Sequence, residues 1–473
     1  MTLVNRSLIT IDDLSYGEIE ALFKLADEMA GAMDEQHGLC RGKIMASLFF
    51  EPSTRTRLSF ETAMHRLGGN VITAADVGAT SLAKGESIAD MAKVVGSYVD
   101  MIVIRHPWEG AAKVVADYSG VPVINAGDGG HQHPTQTLLD LYTIKKEKKT
   151  LKGLKIGLWG DLKYGRTIHS LIFALAKFGA NILFYPTPGL EVPEHILEKL
   201  TLEYGGELEK HKSLDPAAKE KLFPLDAIYL TPSSPHQLAM MPDVNIQVEL
   251  KTGIDALYVT RPQKERFTTA EKGKELREKY PVVDKKLLKS KEFRRTLVMH
   301  PLPRVDELAR ELDADPRSMY FKQAARGVPV RMALIALLLG AKDVAIPQEK
   351  APPITYPVYR RDYGPRCPNP RCVSVQETEV KYVRPEFKVV NRRPLTLRCI
   401  YCEHGFEPEY VASSDWHEGK TATKKYHSAA SHWARKIRTE NLIVFRSNKD
   451  AESLGFKPSR YVKVRHRRKG TPK

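Results

Sequence analysis

The segment Ser53-Thr54-Arg55-Thr56-Arg57 follows Phe49-Phe50-Glu51-Pro52, which closes an apolar run, and precedes a helical stretch, Leu58–Leu67. Hydroxyls and backbone N–H groups at a helix N-terminus form an anion site. Arginine adds a charge-assisted, often bidentate grip on phosphate. The same residues could equally be an ordinary Ser/Thr helix cap with two surface arginines. Other polar groups occupy comparable positions. Ser81-Leu82-Ala83-Lys84-Gly85-Glu86 offers a hydroxyl and an amine in a loop. Ile104-Arg105-His106-Pro107 puts an arginine at a strand end, and His131-Gln132-His133-Pro134-Thr135-Gln136 puts a His and a Gln at a loop-to-helix junction. In parallel α/β sheets, ligands sit at the carboxyl ends of the strands. These groups suit an anion and a carbonyl.

The pattern around them alternates short apolar runs with amphipathic stretches. Strands are expected at 43–50, 70–75, 101–105 and 121–126. A second set is expected at 154–159, 181–185, 227–230, 256–260 and 296–299. Helix-like stretches such as 11–30, 59–67, 167–178 and 332–339 lie between or beyond them. Such alternation predicts an α/β protein with doubly wound parallel sheets. Nine strands suit two sheets better than one, and Lys145-Lys146-Glu147-Lys148-Lys149-Thr150 ends a helix before a new strand. Two domains joined by helices are therefore expected, at 1–150 and 151–342.

The chain has 473 residues, 42% hydrophobic, enough for two or three domains. It has no apolar run of 18 residues, and Met1–Asp12 does not read as a secretory signal. A soluble cytoplasmic protein without a membrane partner is expected. Charge is unevenly spread. Residues 351–473 hold 26 Lys and Arg against 12 Asp and Glu, which is +14 of the chain's +16. A basic tail can bind nucleic acid or another polyanion, but can equally be a solvated face or a docking surface. No nucleic-acid partner is expected.

Cys40 stands alone, whereas Cys367, Cys372, Cys399 and Cys402 fall in the basic tail. In a cytoplasmic protein such pairs read as metal ligands before disulfides. Four thiolates from two close pairs suit one structural, tetrahedral zinc per chain. A Pro- and Tyr-rich linker is expected at 343–365, a small β-rich zinc domain at 366–410, and a basic extension at 411–473. Its last run, Val464-Arg465-His466-Arg467-Arg468-Lys469, reads as disordered.

Taken in order, Ser-Thr-Arg-Thr-Arg, Arg-His-Pro and His-Pro-Thr-Gln resemble the aspartate and ornithine carbamoyltransferase family over residues 1–340. The second half narrows the resemblance. Gly160-Asp161-Leu162-Lys163-Tyr164-Gly165-Arg166-Thr167 and Thr260-Arg261-Pro262-Gln263 supply cations for a dicarboxylate. His300-Pro301-Leu302-Pro303-Arg304 lacks the cysteine that the ornithine branch has there. The pattern is thus similar to the aspartate branch, with Pro262 a small departure.

The resemblance implies transfer of a carbamoyl group from carbamoyl phosphate to L-aspartate, with no cofactor for catalysis. It implies that Ser53, Thr54, Arg55, Thr56 and Arg105 hold the phosphate. Thr56, Arg105 and His133 would face the carbonyl oxygen, with Arg55, Thr56, Arg105 and His133 as the catalytic set. Gln136 and the backbone carbonyl of Leu302 would hold the carbamoyl amino group. Lys84, Arg166, Arg261, Gln263 and Leu302 would hold aspartate. Ser81 and Lys84 would reach into a neighbouring subunit of a homotrimer, and two trimers could join through the tails.

The cysteine segments resemble the zinc domain of that enzyme's regulatory chain. Only some 25 residues separate it from the catalytic body, so the nucleotide-binding domain of that chain is missing and nucleotide control is not expected. Residues 425–464 faintly resemble small metal-binding modules of DNA-repair type. Cysteines are absent near His432, Ser459 and Val462, so a degenerate packing module is expected.

Overall fold

The computed structural model describes residues 3–33, 35–75, 84–163, 165–186, 189–205, 225–231, 254–261, 282–289, 293–346, 354–360, 364–377, 382–415, 424–460 and 462. The chain divides into two units. One holds residues 1–107 and 112–352, and the other holds 353–473 together with Trp108–Ala111.

Two parallel sheets make up the first unit. The first contains β1 (Ile44–Phe49), β2 (Asn70–Ala74), β3 (Met101–His106) and β4 (Val123–Asp128), in the order β2-β1-β3-β4. The second contains β5 (Lys155–Gly160), β6 (Asn181–Pro186), β7 (Ala227–Thr231), β8 (Ala256–Val259) and β9 (Leu297–Met299), in the order β6-β5-β7-β8-β9. In each sheet the chain moves outward from the first strand in both directions. This creates switch points between β1 and β3 and between β5 and β7, where a crevice opens at the strand ends. The register sets Phe49 against Arg105, so the segment after β1 emerges beside that arginine.

Local chemistry fixes the helices. α1 (Tyr16–Gly31) starts at a capping box: Glu18 N–H donates to Ser15 Oγ, and Ser15 N–H donates to the Glu18 carboxylate. α2 (Thr54–Arg66) begins four residues before the expected Leu58. Thr54, Arg55, Thr56 and Arg57 are therefore its first turn rather than a loop. α3 (Ile88–Gly96) and α4 (Ala111–Ser119) follow. α5 (Pro134–Lys148) carries proline at its first position, where a missing N–H costs nothing, and lysines in its last turn. α6 (Arg166–Lys177) and α7 (Glu194–Tyr204) flank the second sheet, and α8 (Tyr320–Leu338) packs on α1, α2 and α5. One hydrophobic core runs through both halves, from Leu22 and Met45 to Leu158, Phe173 and Leu334.

Among the described residues, the two sheets of the second unit are antiparallel except for one strand pairing. β10 (Val358–Arg360), β11 (Glu386–Arg392), β12 (Leu395–Cys399) and β13 (Gly405–Phe406) form one sheet in sequence order. β10 lies in the stretch expected as a linker: Val358, Tyr359 and Arg360 pair with Lys388, Phe387 and Glu386. The second sheet has the order β16-β14-β15-β17, from β14 (Tyr410–Ser413), β15 (Lys425–Ser428), β16 (Leu442–Phe445) and β17 (Lys457–Pro458). Ala412, Tyr426, Ile443, Phe445, Ala451 and Phe456 form its core. The run 464–469 lies outside the described residues. Among the described residues, no helix is long and apolar enough to cross a membrane.

Candidate functional site

The first switch point gathers the groups from the first half. Ser53 is the N-cap of α2, yet its side chain makes no capping hydrogen bond. Its hydroxyl is thus not consumed by the ordinary capping role. Thr54 and Arg55 are exposed at the helix start, and Thr56 is buried. Arg105 is buried at the end of β3. Its Nη1 donates to the Ala126 carbonyl at 3.1 Å, and its Nη2 lies 3.3 Å from a Glu51 carboxylate oxygen. The same Nη1 lies 3.4 Å from His133 Nε2.

That last contact sets a tautomer. A guanidinium has donors and no acceptor, so His133 Nε2 must accept. The ring proton of the neutral imidazole then sits on Nδ1. His133 is the N-cap residue of α5, and its backbone N–H donates to Ser170 Oγ at 3.0 Å. Ser170 donates in turn to Gln132 Oε1 at 2.7 Å. His106, beside Arg105, plays no comparable part. Burial pushes it down to about 4 despite nearby Asp128 and Glu51, and its ring packs edge-on to Phe50.

Sequence reasoning missed Gly127. Its φ is +117°, and a Cβ there would lie 2.9 Å from Arg105 Nη1 and 3.5 Å from His133 Cδ2. Only glycine leaves room for both side chains. A glycine directly after an apolar strand was the available signal.

The second half brings Arg261 toward the same place. Arg55 remains exposed, yet the protein around its head group, and then the like charge of Arg261, lower its pKa. Two cations from opposite halves that feel each other describe a site for a polyanionic ligand. Leu302 follows β9 in the left-handed region, at φ 53°, and precedes a cis peptide bond to Pro303. Its N–H donates to His300 Nδ1 at 2.8 Å, and His300 Nε2 is held by buried Glu307 at 2.8 Å. Gln136, on α5, donates through Nε2 to Asp140 at 2.8 Å.

The structure thus places Arg105 against His133, and Arg55 feels the charge of Arg261. Lys84 is described and exposed. Arg166 opens α6, but its side chain lies outside the described residues, as do Ser81 and Gln263 entirely.

A family model for the carbamoyl-phosphate-binding domain of aspartate/ornithine carbamoyltransferase matches residues 6–146. Another, for the aspartate/ornithine-binding domain, matches 234–338. The aspartate carbamoyltransferase catalytic subunit of Methanopyrus kandleri is 46% identical over 338 residues, covering 71% of this chain and 98% of its own. This chain belongs to the aspartate carbamoyltransferase family. The catalytic subunit of the Thermococcus gammatolerans enzyme is similar at 47% identity, over 71% of this chain and 98% of its own. Among solved structures, the M. jannaschii catalytic subunit aligns with TM-score 0.56 and 42% identity, covering 71% of this chain and 98% of that one. A Trypanosoma cruzi aspartate transcarbamoylase solved with carbamoyl phosphate and aspartate aligns with TM-score 0.56 and 33% identity, over 71% of this chain and 96% of its own.

The carbamoyltransferase body is followed by a second candidate site. The sulfurs of Cys367, Cys372, Cys399 and Cys402 lie within 4.8 Å of one another, and all four residues are buried. Cys367 and Cys402 are 3.5 Å apart, and Cys372 and Cys399 are 3.8 Å apart. A disulfide needs about 2.05 Å. A tetrahedral zinc with Zn–S bonds of about 2.3 Å separates its sulfurs by about 3.8 Å. The cluster therefore has the dimensions of a four-thiolate metal site. A family model for the metal-binding domain of the aspartate carbamoyltransferase regulatory chain matches residues 365–412.

Within this unit, the segment Trp108–Ala111 pairs with the cysteine loop. Glu109 N–H donates to the Arg371 carbonyl and Val373 N–H to the Glu109 carbonyl, both at 2.9 Å. Asn369 Nδ2 donates to the Glu109 carboxylate at 2.5 Å.

Proposed function

We propose that the chain transfers the carbamoyl group of carbamoyl phosphate to the α-amine of L-aspartate, giving N-carbamoyl-L-aspartate and phosphate for pyrimidine synthesis. The observation that carries this reading is the buried Arg105–His133 contact of 3.4 Å beside the start of α2, with the Arg55 and Arg261 cations contributed by the two halves. One cation meets the phosphate and the other a substrate carboxylate. Ser53, Thr54, Arg55, Thr56 and Arg105 hold the phosphate. Gln136 and the Leu302 carbonyl hold the carbamoyl amino group. Arg166, Arg261, Gln263 and the Lys84 amine hold aspartate.

The aspartate amine attacks the carbonyl carbon. Negative charge grows on the carbonyl oxygen, where Thr56, Arg105 and His133 serve as fixed donors. Phosphate then leaves and takes the amine proton. Holding both substrates in line adds a proximity gain. His133, whose Nε2 lies 3.4 Å from Arg105 Nη1, acts as a hydrogen-bond donor rather than a base.

The tail is a tethered counterpart of the regulatory chain's metal domain, holding one structural zinc and serving assembly. No metal enters catalysis. The enzyme is a cytoplasmic homotrimer, with Ser81 and Lys84 supplied by a neighbouring chain. The deciding assay offers carbamoyl phosphate with either aspartate or ornithine. Turnover with aspartate is expected. Turnover with ornithine alone, or a salt-sensitive DNA shift with no transfer, would overturn the reading.

A further inference from the structure

We propose that Asp140 is a positioning residue that aligns, from one buried carboxylate, the two groups gripping the carbamoyl amino end. This rests on the roles given above to Gln136 and Leu302. Asp140 lies on α5, one turn beyond Gln136, and is fully buried. Its Oδ1 accepts from Gln136 Nε2 at 2.8 Å and from Gln323 Nε2 at 2.8 Å. Its Oδ2 accepts from the Tyr258 hydroxyl at 3.0 Å.

Each bond leads to a different wall of the site. Gln136 has its NH₂ turned to the carboxylate, which leaves Oε1 as the acceptor to offer a ligand. An acceptor is what a carbamoyl NH₂ requires. Gln323 sits on α8 with its own amide locked at both ends. Its Nε2 donates to Asp140, and its Oε1 accepts from His300 N–H at 3.0 Å. His300 Nδ1 then accepts from Leu302 N–H. The path Asp140–Gln323–His300–Leu302 thus fixes the backbone whose carbonyl is the second acceptor. Tyr258 lies on β8, three residues before Arg261.

The carboxylate is costly where it stands. Burial raises it to about 7, against the hydrogen bonds from Gln136, Gln323 and Tyr258 and the charge of Arg331. A core that needed only packing would be better served by an apolar residue. Three converging donors from three elements explain its presence.

The test uses the full-length enzyme, four single variants and one double variant. Asp140→Ala removes the acceptor, Asp140→Asn retains one acceptor oxygen, Gln323→Ala cuts only the path to Leu302, and Gln136→Ala removes the gripping amide. Carbamoyl phosphate binding, kcat, KM and Tm are measured for each. Misplacing a binding group by about 1 Å costs on the order of 100-fold in rate. Asp140→Ala and Gln323→Ala should therefore lose kcat and carbamoyl phosphate affinity. Asp140→Asn should recover most of both.

Asp140→Ala in a Gln136→Ala background should cost less than it does alone, because the two act on one contact. A folded Asp140→Ala enzyme with wild-type kinetics overturns the proposal. So does an Asp140→Asn enzyme no better than Asp140→Ala. If Asp140→Ala fails to fold, Gln323→Ala with wild-type constants overturns it. Wild-type binding by Gln136→Ala would instead sink the site reading beneath it.

Discussion

Arg105 Nη1 lies 3.4 Å from His133 Nε2, and the arginine has no lone pair to give. The histidine therefore accepts there and keeps its donor at Nδ1. A permanent cation against the ring disfavours a second positive charge there, which argues against a base that collects protons. Replacing His133 with alanine should lower kcat by about 100-fold or more, the usual cost of one lost oxyanion donor. Carbamoyl phosphate binding should fall less, since Arg105 and the start of α2 remain. Steady-state kinetics with a binding isotherm separates the two effects. A His133→Ala enzyme with unchanged kcat would remove the residue from the catalytic set.

Gly127 supports the same pair from behind. Alanine there would need a φ of +117° and would place a methyl carbon 2.9 Å from Arg105 Nη1. The guanidinium is the movable partner, so it should swing away from the site while the fold survives. A shift of this kind costs between about 10- and 100-fold in rate. Gly127→Ala should raise KM for carbamoyl phosphate and lower kcat with a modest fall in Tm. Unchanged kinetics with a large fall in Tm would mean that the glycine serves the turn alone.

The apolar runs matched the nine strands found among the described residues of the first unit to within a few residues, because a buried parallel strand leaves a plain hydrophobic signature. The phosphate motif was legible too, although its helix starts at Thr54 and not Leu58. Polar residues at a helix start hide its first turn from periodicity. The strand Val358–Arg360 was hidden because a proline-rich stretch reads as linker, while an edge strand needs few donors. Asp140 could not be found by pattern. Its partners Tyr258 and Gln323 lie 118 and 183 residues away, and nothing local marks a buried carboxylate.

The cysteine cluster makes a metal prediction. The four buried thiolates tie two separate loops of this small unit together, so a bound metal should carry much of its stability. Elemental analysis of the purified chain should find one zinc per chain. Cys402→Ser, or a strong chelator, should release it and expose 364–406 to protease. A Cys402→Ser protein with full zinc content and unchanged protease resistance would defeat the assignment.

Asp140 also predicts a pH dependence of stability. Its folded carboxyl is raised to about 7, chiefly by burial, whereas an unfolded aspartate titrates at about 3.9. The folded state therefore binds the proton more tightly. Its contribution is fully present below about pH 4 and is lost as pH rises through about 7. Around it stand Tyr229 and Tyr258, both raised well above the usual phenol range by burial, and Arg331, lowered by burial to about 10. Asp140→Asn has no such titration. Its stability relative to wild type should improve from pH 4 to 7, by an amount on the order of a few kcal/mol. Denaturant unfolding across that range measures it. A difference that runs the other way would mean that Arg331 holds the carboxylate charged.

In the proposed trimer, Lys84 of one chain completes the site built around Arg55 of another. Lys84→Gln and Arg55→Ala should each abolish most activity in a pure trimer, since each spoils every site. Mixing the two after dissociation gives a different result. Some interfaces then pair an intact Arg55 from one chain with an intact Lys84 from its neighbour. In a random mixture those sites should recover roughly a quarter of wild-type turnover, because each intact partner is drawn with even odds. Carbamoyl transfer before and after mixing, with size-exclusion chromatography to show trimers, reads the outcome. Hybrid trimers that regain nothing would show that both residues serve the same chain's site.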